Sequence, residues 1–231
     1  MKRGSGHFEM IVSFAFFAGV VGFLLLVLQS GTSSTTLFDS VLDSIGDDFF
    51  GLVGVEMGSV FVSVNYTGSN GCFYFNLSDD VFGFDYGDKG VVVVGLDGSE
   101  IGAGFDSSVV SVNSSEDFFR MKISEEFNNS FSGSCGEVVS YRLGKVFERK
   151  VVSYSGLMEM VGRYDVDYEG LKVELGVPNV YDFGIVVGEL GIEMLPGMIS
   201  SDVEVLAKDE IFEVLWEDGR VENVRVNFRI W

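Results

Sequence analysis

Hydrophobic and polar positions divide the chain into three stretches of different period. From Met10 to Leu28, nineteen residues carry no charge, and Ser13, Gly19 and Gly22 are the breaks in the apolar run "MIVSFAFFAGVVGFLLLVL". At about 1.5 Å per helical residue this length approaches the roughly 30 Å of a bilayer's hydrocarbon core, so the run predicts one membrane crossing. Ser13 can bond back to a carbonyl one turn earlier and glycine is tolerated in such helices, so neither breaks the prediction. Lys2 and Arg3, with the single histidine His7, precede the run, and the next basic residue is Lys89. That bias places the N-terminus in the cytoplasm and everything after Leu28 outside the cell. A secretory signal peptide cut near Ser30 is the rival reading.

After the apolar run, "QSGTSSTT" (Gln29 to Thr36) reads as a polar hinge whose last hydroxyls can cap a helix. Phe38, Val41, Leu42, Ile45 and Phe49 then recur at spacings of three and four, predicting an amphipathic helix over about 37–50. From Ser59 to about Lys150 the period changes to two. "SVFVSVNY", "CFYFNL", "GVVVVGL", "SSVVSV", "FRMKI" and "EVVSYRL" predict short strands, with Asn70-Gly71 and Asp97-Gly98 supplying hairpin turns. Beyond Lys150, Leu157, Met160, Val161 and Tyr164, then Tyr168, Leu171 and Leu175, return to helical spacing, and Gly176 with Pro178 ends the second helix. Alternating runs ending in "NVRVNFRIW" close the chain, with Asp218-Gly219 turning the last hairpin. The expected fold is a single N-terminal transmembrane helix plus a mostly-β exterior, an antiparallel β-sandwich followed by a small α+β unit. Three parts are expected: residues 1–30 as anchor with a basic leader, 31–150 as the sandwich, and 151–231 as the α+β unit.

Charge narrows the class of partner. The chain has 15 basic and 35 acidic residues, and setting aside Lys2, Arg3 and Glu9 leaves 13 against 34, a charge of −21 on the remainder. Such a surface lacks the cations that phosphate neutralisation needs, so nucleic acid is excluded as a partner. Four acceptor sequons occur, at Asn65, Asn76, Asn113 and Asn128, where nine asparagines in this composition give about one by chance, which points to a glycosylated external domain. The two cysteines, Cys72 and Cys135, sit in turn-like sequence ("SNGCF", "SGSCG") suited to a surface disulfide, with two free thiols as the alternative.

Candidate chemistry is sparse. No histidine follows His7, which removes the common serine and cysteine triads and histidine-bearing zinc sites, and two cysteines cannot make a four-thiolate site. Acidic pairs are too abundant to single out a carboxylate hydrolase. Asp79, Asp80, Asp85 and Asp88 in "DDVFGFDYGDKG" are oxygen ligands in a glycine-rich loop, but their spacing is not that of a calcium loop, and a solvated loop is expected. No catalytic residue, metal ligand or cofactor is therefore assigned, and the expected role is not enzymatic.

The start "MKRGSGHFEMIVSFAFF" resembles the class III signal peptides of archaeal type IV pilin-like proteins, with a basic leader, a glycine, and an acid just ahead of a long apolar helix. The resemblance implies cleavage between Gly6 and His7, a filament core made of bundled helices, and a docking role for Glu9, whose carboxylate would pair with a neighbour's freed amine. The stretch "YEGLKVELGVPNVYDFG" also looks like uncharacterised membrane-anchored proteins of small-genome archaea, which implies no activity. The expected function is a membrane-anchored, extracytoplasmic, pilin-like or cell-surface structural subunit. It would touch the membrane through residues 10–28 and form homo- or hetero-oligomers through that helix. The alternative is an anchored extracellular module that binds a ligand or partner for an envelope complex.

Overall fold

A computed structural model of the chain describes residues 5–68, 71–78, 81–85, 89–106, 108–128, 135–197 and 202–231, with the side chains of 5–9 and 25–37 outside the description. The first element is α1 (Ser5–Val53), a single helix of 49 residues that runs through the expected hinge. Without a loop it becomes β1 (Gly54–Asn65), the first of thirteen strands among the described residues. Seven short strands follow: β2 (Phe73–Asn76), β3 (Gly90–Val94), β4 (Glu100–Ile101), β5 (Ala103–Asp106), β6 (Val109–Val112), β7 (Phe118–Ser124) and β8 (Gly136–Glu137). The long β9 (Ser140–Ser153) leads into α2 (Tyr154–Val166) and α3 (Tyr168–Glu174). The chain ends with β10 (Phe183–Val187), a 3-10 turn at Gly188–Leu190, β11 (Ile192–Met194), β12 (Leu206–Leu215) and β13 (Val221–Ile230).

Nine strands form one curled sheet in the order β11-β10-β13-β12-β9-β1-β7-β3-β4, and four form a small sheet, β5-β6-β2-β8. Two cores lie on the same face of the large sheet. Beneath the helices, Leu42, Ile45, Phe49 and Val53 of α1 pack with Leu157, Met160 and Tyr164 of α2 against Phe183, Ile185, Val226, Phe228 and Ile230. Under the small sheet, Val60, Val62, Phe119, Met121 and Ile123 meet Phe73, Phe75, Phe105, Val110 and Val112. Val152 of β9 belongs to the first core and Val146 packs against the second; they are six residues apart on one strand, so they share a face.

This continuity corrects the expected fold class of an antiparallel β-sandwich followed by a small α+β unit. β9 is one unbroken strand across Lys150, pairing antiparallel with β1 from Ser140 to Val152 and parallel with β12 at Val152 and Ser153. The molecule is mostly β, a nine-stranded sheet with a small second sheet. Alternation read along the sequence reveals strands but not which distant strand lies beside which, and the parallel β9–β12 contact rests on two residue pairs with no hairpin to announce it.

The expected membrane anchor is also overturned. Among the described residues no helix is long and apolar enough to cross a membrane. The single-pass anchor at 10–28, the membrane contact and the cytoplasmic-to-extracellular placement built on it are withdrawn with that premise.

Candidate functional site

The two ends of α1 sit in opposite environments. Spacings of three and four bury Leu42, Ile45 and Phe49 in the helix-covered core, where Phe49 packs edge-on to Phe228 at 5.3 Å and beside Phe212 at 5.5 Å. From Met10 to Leu24, in contrast, every residue except Gly22 is exposed. Met10, Phe14 and Phe16 are each more than 70 % exposed, and at about 100° per residue the exposed apolar side chains point in all directions around the axis. Positions Gly19 and Gly22 likewise have no heavy atom within 4 Å of where a Cβ would stand. Among the described residues, this helix end is therefore an exposed surface that is apolar all round. Gly6, His7 and Glu9 fall in the first turns of α1, but their side chains lie outside the described residues.

The remaining sequence-predicted positions are scattered and do not converge. Asn65 and Asn76 end β1 and β2, Asn113 follows β6, and Asn128 follows the turn after β7; all four are exposed. Cys72 and Cys135 pair as a disulfide with Cα atoms 4.8 Å apart, at the head of the parallel β2–β8 pair. Contrary to the expected surface setting, Cys72 is buried. Of the acidic loop, Asp79, Asp80 and Asp88 lie outside the described residues and Asp85 is exposed. Among the described residues there is no group of three or more His, Cys, Asp or Glu side chains able to hold a metal.

A part-buried polar knot holds the start of α2. Glu126 accepts from the Ser155 amide at 2.9 Å, the Ser155 hydroxyl at 2.8 Å and the Ser153 hydroxyl, while Ser153 itself caps the helix by accepting from the Gly156 amide at 2.8 Å. The negative carboxylate faces the positive end of the helix, where the first amides lack helical partners. Both serines are thereby held in internal bonds, so the knot fixes β7's following turn to α2 and offers no free nucleophile.

The face of the large sheet opposite the two cores carries the most distinctive side-chain cluster. On β7, Phe119, Met121 and Ile123 turn inward, so Arg120 and Lys122 turn outward. Register sets Lys122 opposite Ser59 of β1 and Ser59 opposite Phe147 of β9, with Arg149 opposite Met57 one step along. The β1–β9 pairing shifts between Val60 and Val62, leaving Phe61 at the irregularity, where Arg120 lies over its ring at 4.4 Å. These side chains line a groove of about 350 Å³. Met57, Val92, Val151 and Leu215 form a small apolar cluster on this side of the sheet. Lys122 donates to the Gly219 carbonyl at 2.6 Å, and one guanidinium nitrogen of Arg149 donates to both carboxylate oxygens of Glu213 at 2.6 and 2.7 Å. Burial pulls the Lys122 ammonium below the ordinary lysine range, and the charges of Arg120 and Arg149 push it further the same way.

Sequence reasoning did not single out this groove, although "FRMKI" already places Arg120 and Lys122 on one side of a strand. Arg149 and Phe147 join them only through strand order. A scan of protein-family models and searches of curated proteins and of solved structures return no match to the chain.

Proposed function

We propose that the chain is a pilin-like structural subunit that works by association, its N-terminal helix packing with the same helix of other copies while the β-rich bulk stands outside the bundle. The observation that carries this reading is the exposed, all-round apolar surface of α1 from Met10 to Leu24, joined to an end locked in the core. A helix of this kind lowers its free energy only by burying its side chains, at about 25 cal/mol per Å² of apolar surface removed from water. A second copy offers the same surface at the same height. The leader supports the reading as well: cleavage between Gly6 and His7 would free an amine near Glu9 of an adjacent helix, and that pairing would fix the stagger between subunits.

The test is co-expression with an archaeal prepilin peptidase, followed by N-terminal sequencing. The product is expected to begin at His7, and Glu9→Ala is expected to be processed normally yet enter filaments poorly. An intact Met1 under conditions where a known prepilin is cut would overturn the reading.

A further inference from the structure

The groove on the outer face of the large sheet has its own electrostatic logic, independent of how α1 is used. Acidic residues outnumber basic ones 35 to 15, so a cation placed at random on this molecule should find a carboxylate. Here the sheet gathers Arg120 and Lys122 of β7 and Arg149 of β9 on either side of β1, with Asp218 the carboxylate whose charge reaches Lys122. Among the described residues, Arg149 alone of the three is in an ion pair, with Glu213; the bonded partner of Lys122 is a neutral carbonyl and that of Arg120 is the Phe61 ring. Glu148, which also lines the groove, accepts from the Gly83 amide at 2.5 Å. Gathering three like charges, one of them half-buried, is unfavourable for the empty protein and becomes favourable when an anion enters.

We propose that this groove binds a compact oxyanion ligand, a small carboxylate or a phosphate. The three cations less Glu213 and Glu148 leave a local charge of about +1, a net positive sign that suits an oxyanion. Arg120 and Lys122, two residues apart on one strand and so roughly 7 Å apart along it, receive the ligand's oxygens. The Ser59 hydroxyl, between Lys122 and Phe147, adds a neutral donor. Phe61 and Phe147 form apolar walls against which the body of the ligand lies. The volume of about 350 Å³ is at the small end of ligand sites, which excludes an extended polymer as the bound unit.

The experiment uses the full chain, kept dispersed in a non-ionic detergent. Thermal unfolding and calorimetric titration are recorded with malonate, with inorganic phosphate, and with sodium chloride at matched ionic strength. A saturable rise in the unfolding midpoint with about one equivalent of malonate or phosphate, beyond the chloride effect, is expected. The stronger of the two identifies the carboxylate or the phosphate as the natural chemistry. Arg120→Gln, at an exposed side chain whose loss leaves the fold intact, should bind at least about tenfold more weakly, as loss of a charged hydrogen bond implies. Lys122→Met should do the same, and if it misfolds Arg120→Gln alone decides. The proposal fails if neither probe exceeds chloride, or if Arg120→Gln binds as the wild type does. Neither failure bears on assembly through α1.

Discussion

Tyr168 ties α3 to β10 and the residue before it. Its hydroxyl accepts from the Phe183 amide at 3.0 Å and donates to Asp182 Oδ1 at 3.2 Å, while its ring stacks on Phe183 with centroids 5.1 Å apart. Lys172, buried one turn later, reaches the same Asp182 oxygen at 3.3 Å. Burial pushes the Tyr168 hydroxyl up to about 12, and the Asp182 carboxylate adds to the shift; Tyr164 beside it is raised further, again mainly by burial. Folded-state values above the unfolded value of about 10 mean that this contribution to stability is intact below pH 10 and lost as pH rises from about 10 through 12. An absorbance titration should therefore show two late-ionising tyrosines among the eight, reduced to one in Tyr168→Phe. Equal ionisation of all eight near the unfolded value would remove this account. At this scale the sequence was partly legible: spacing places Tyr164 on the apolar side of α2 and Tyr168 on that of α3, but their partners at 182 and 183 arrive through a strand whose position no local pattern reveals.

Among the elements, α1 does two jobs in one piece. Its last third is anchored by Phe49, fully buried between Phe212 and Phe228. Phe49→Ala should cost about 3–5 kcal/mol, the usual range for emptying a well-packed aromatic site, read as a lower denaturant midpoint with an unchanged slope. A loss under about 1 kcal/mol would mean that the helix end is not locked into the core as described. The spacing from Phe38 to Phe49 was enough to predict this helical segment from sequence. Its fusion with the apolar run was not, because "QSGTSSTT" has the composition of a hinge, and modest helix propensity yields when flanking turns on both sides are already helical. Likewise "FRMKI" disclosed two of the groove's cations, whereas Arg149 and Phe147 required the β1–β9 register and its shift near Phe61.

Over the whole molecule, a charge of −20 is the dominant long-range term. The exposed ion pairs, such as Arg163–Glu174 and Arg220–Glu222, are each worth little in water and do not offset it. Self-repulsion of the acidic surface opposes the folded state, and salt shortens its reach to a Debye length of about 10 Å at 0.1 M. The unfolding midpoint should therefore rise as sodium chloride is raised from about 0.01 M to several tenths molar, a span over which the Debye length falls severalfold. Arg120→Gln should keep this rise, which separates general screening from occupancy of the groove; a midpoint that falls with salt would show that attractive pairs outweigh the repulsion. The joint between α1 and β1 has a mechanical consequence. Because the helix passes into the strand at Val53–Gly54 with no intervening loop, tension applied along α1 enters β1 directly. β1 lies inside the sheet, held by seven residue pairs to β7 and eleven to β9, with bonds running across its length. A pull therefore loads those bonds together in shear, not one after another, so the fold is built to resist being drawn out by its own stalk.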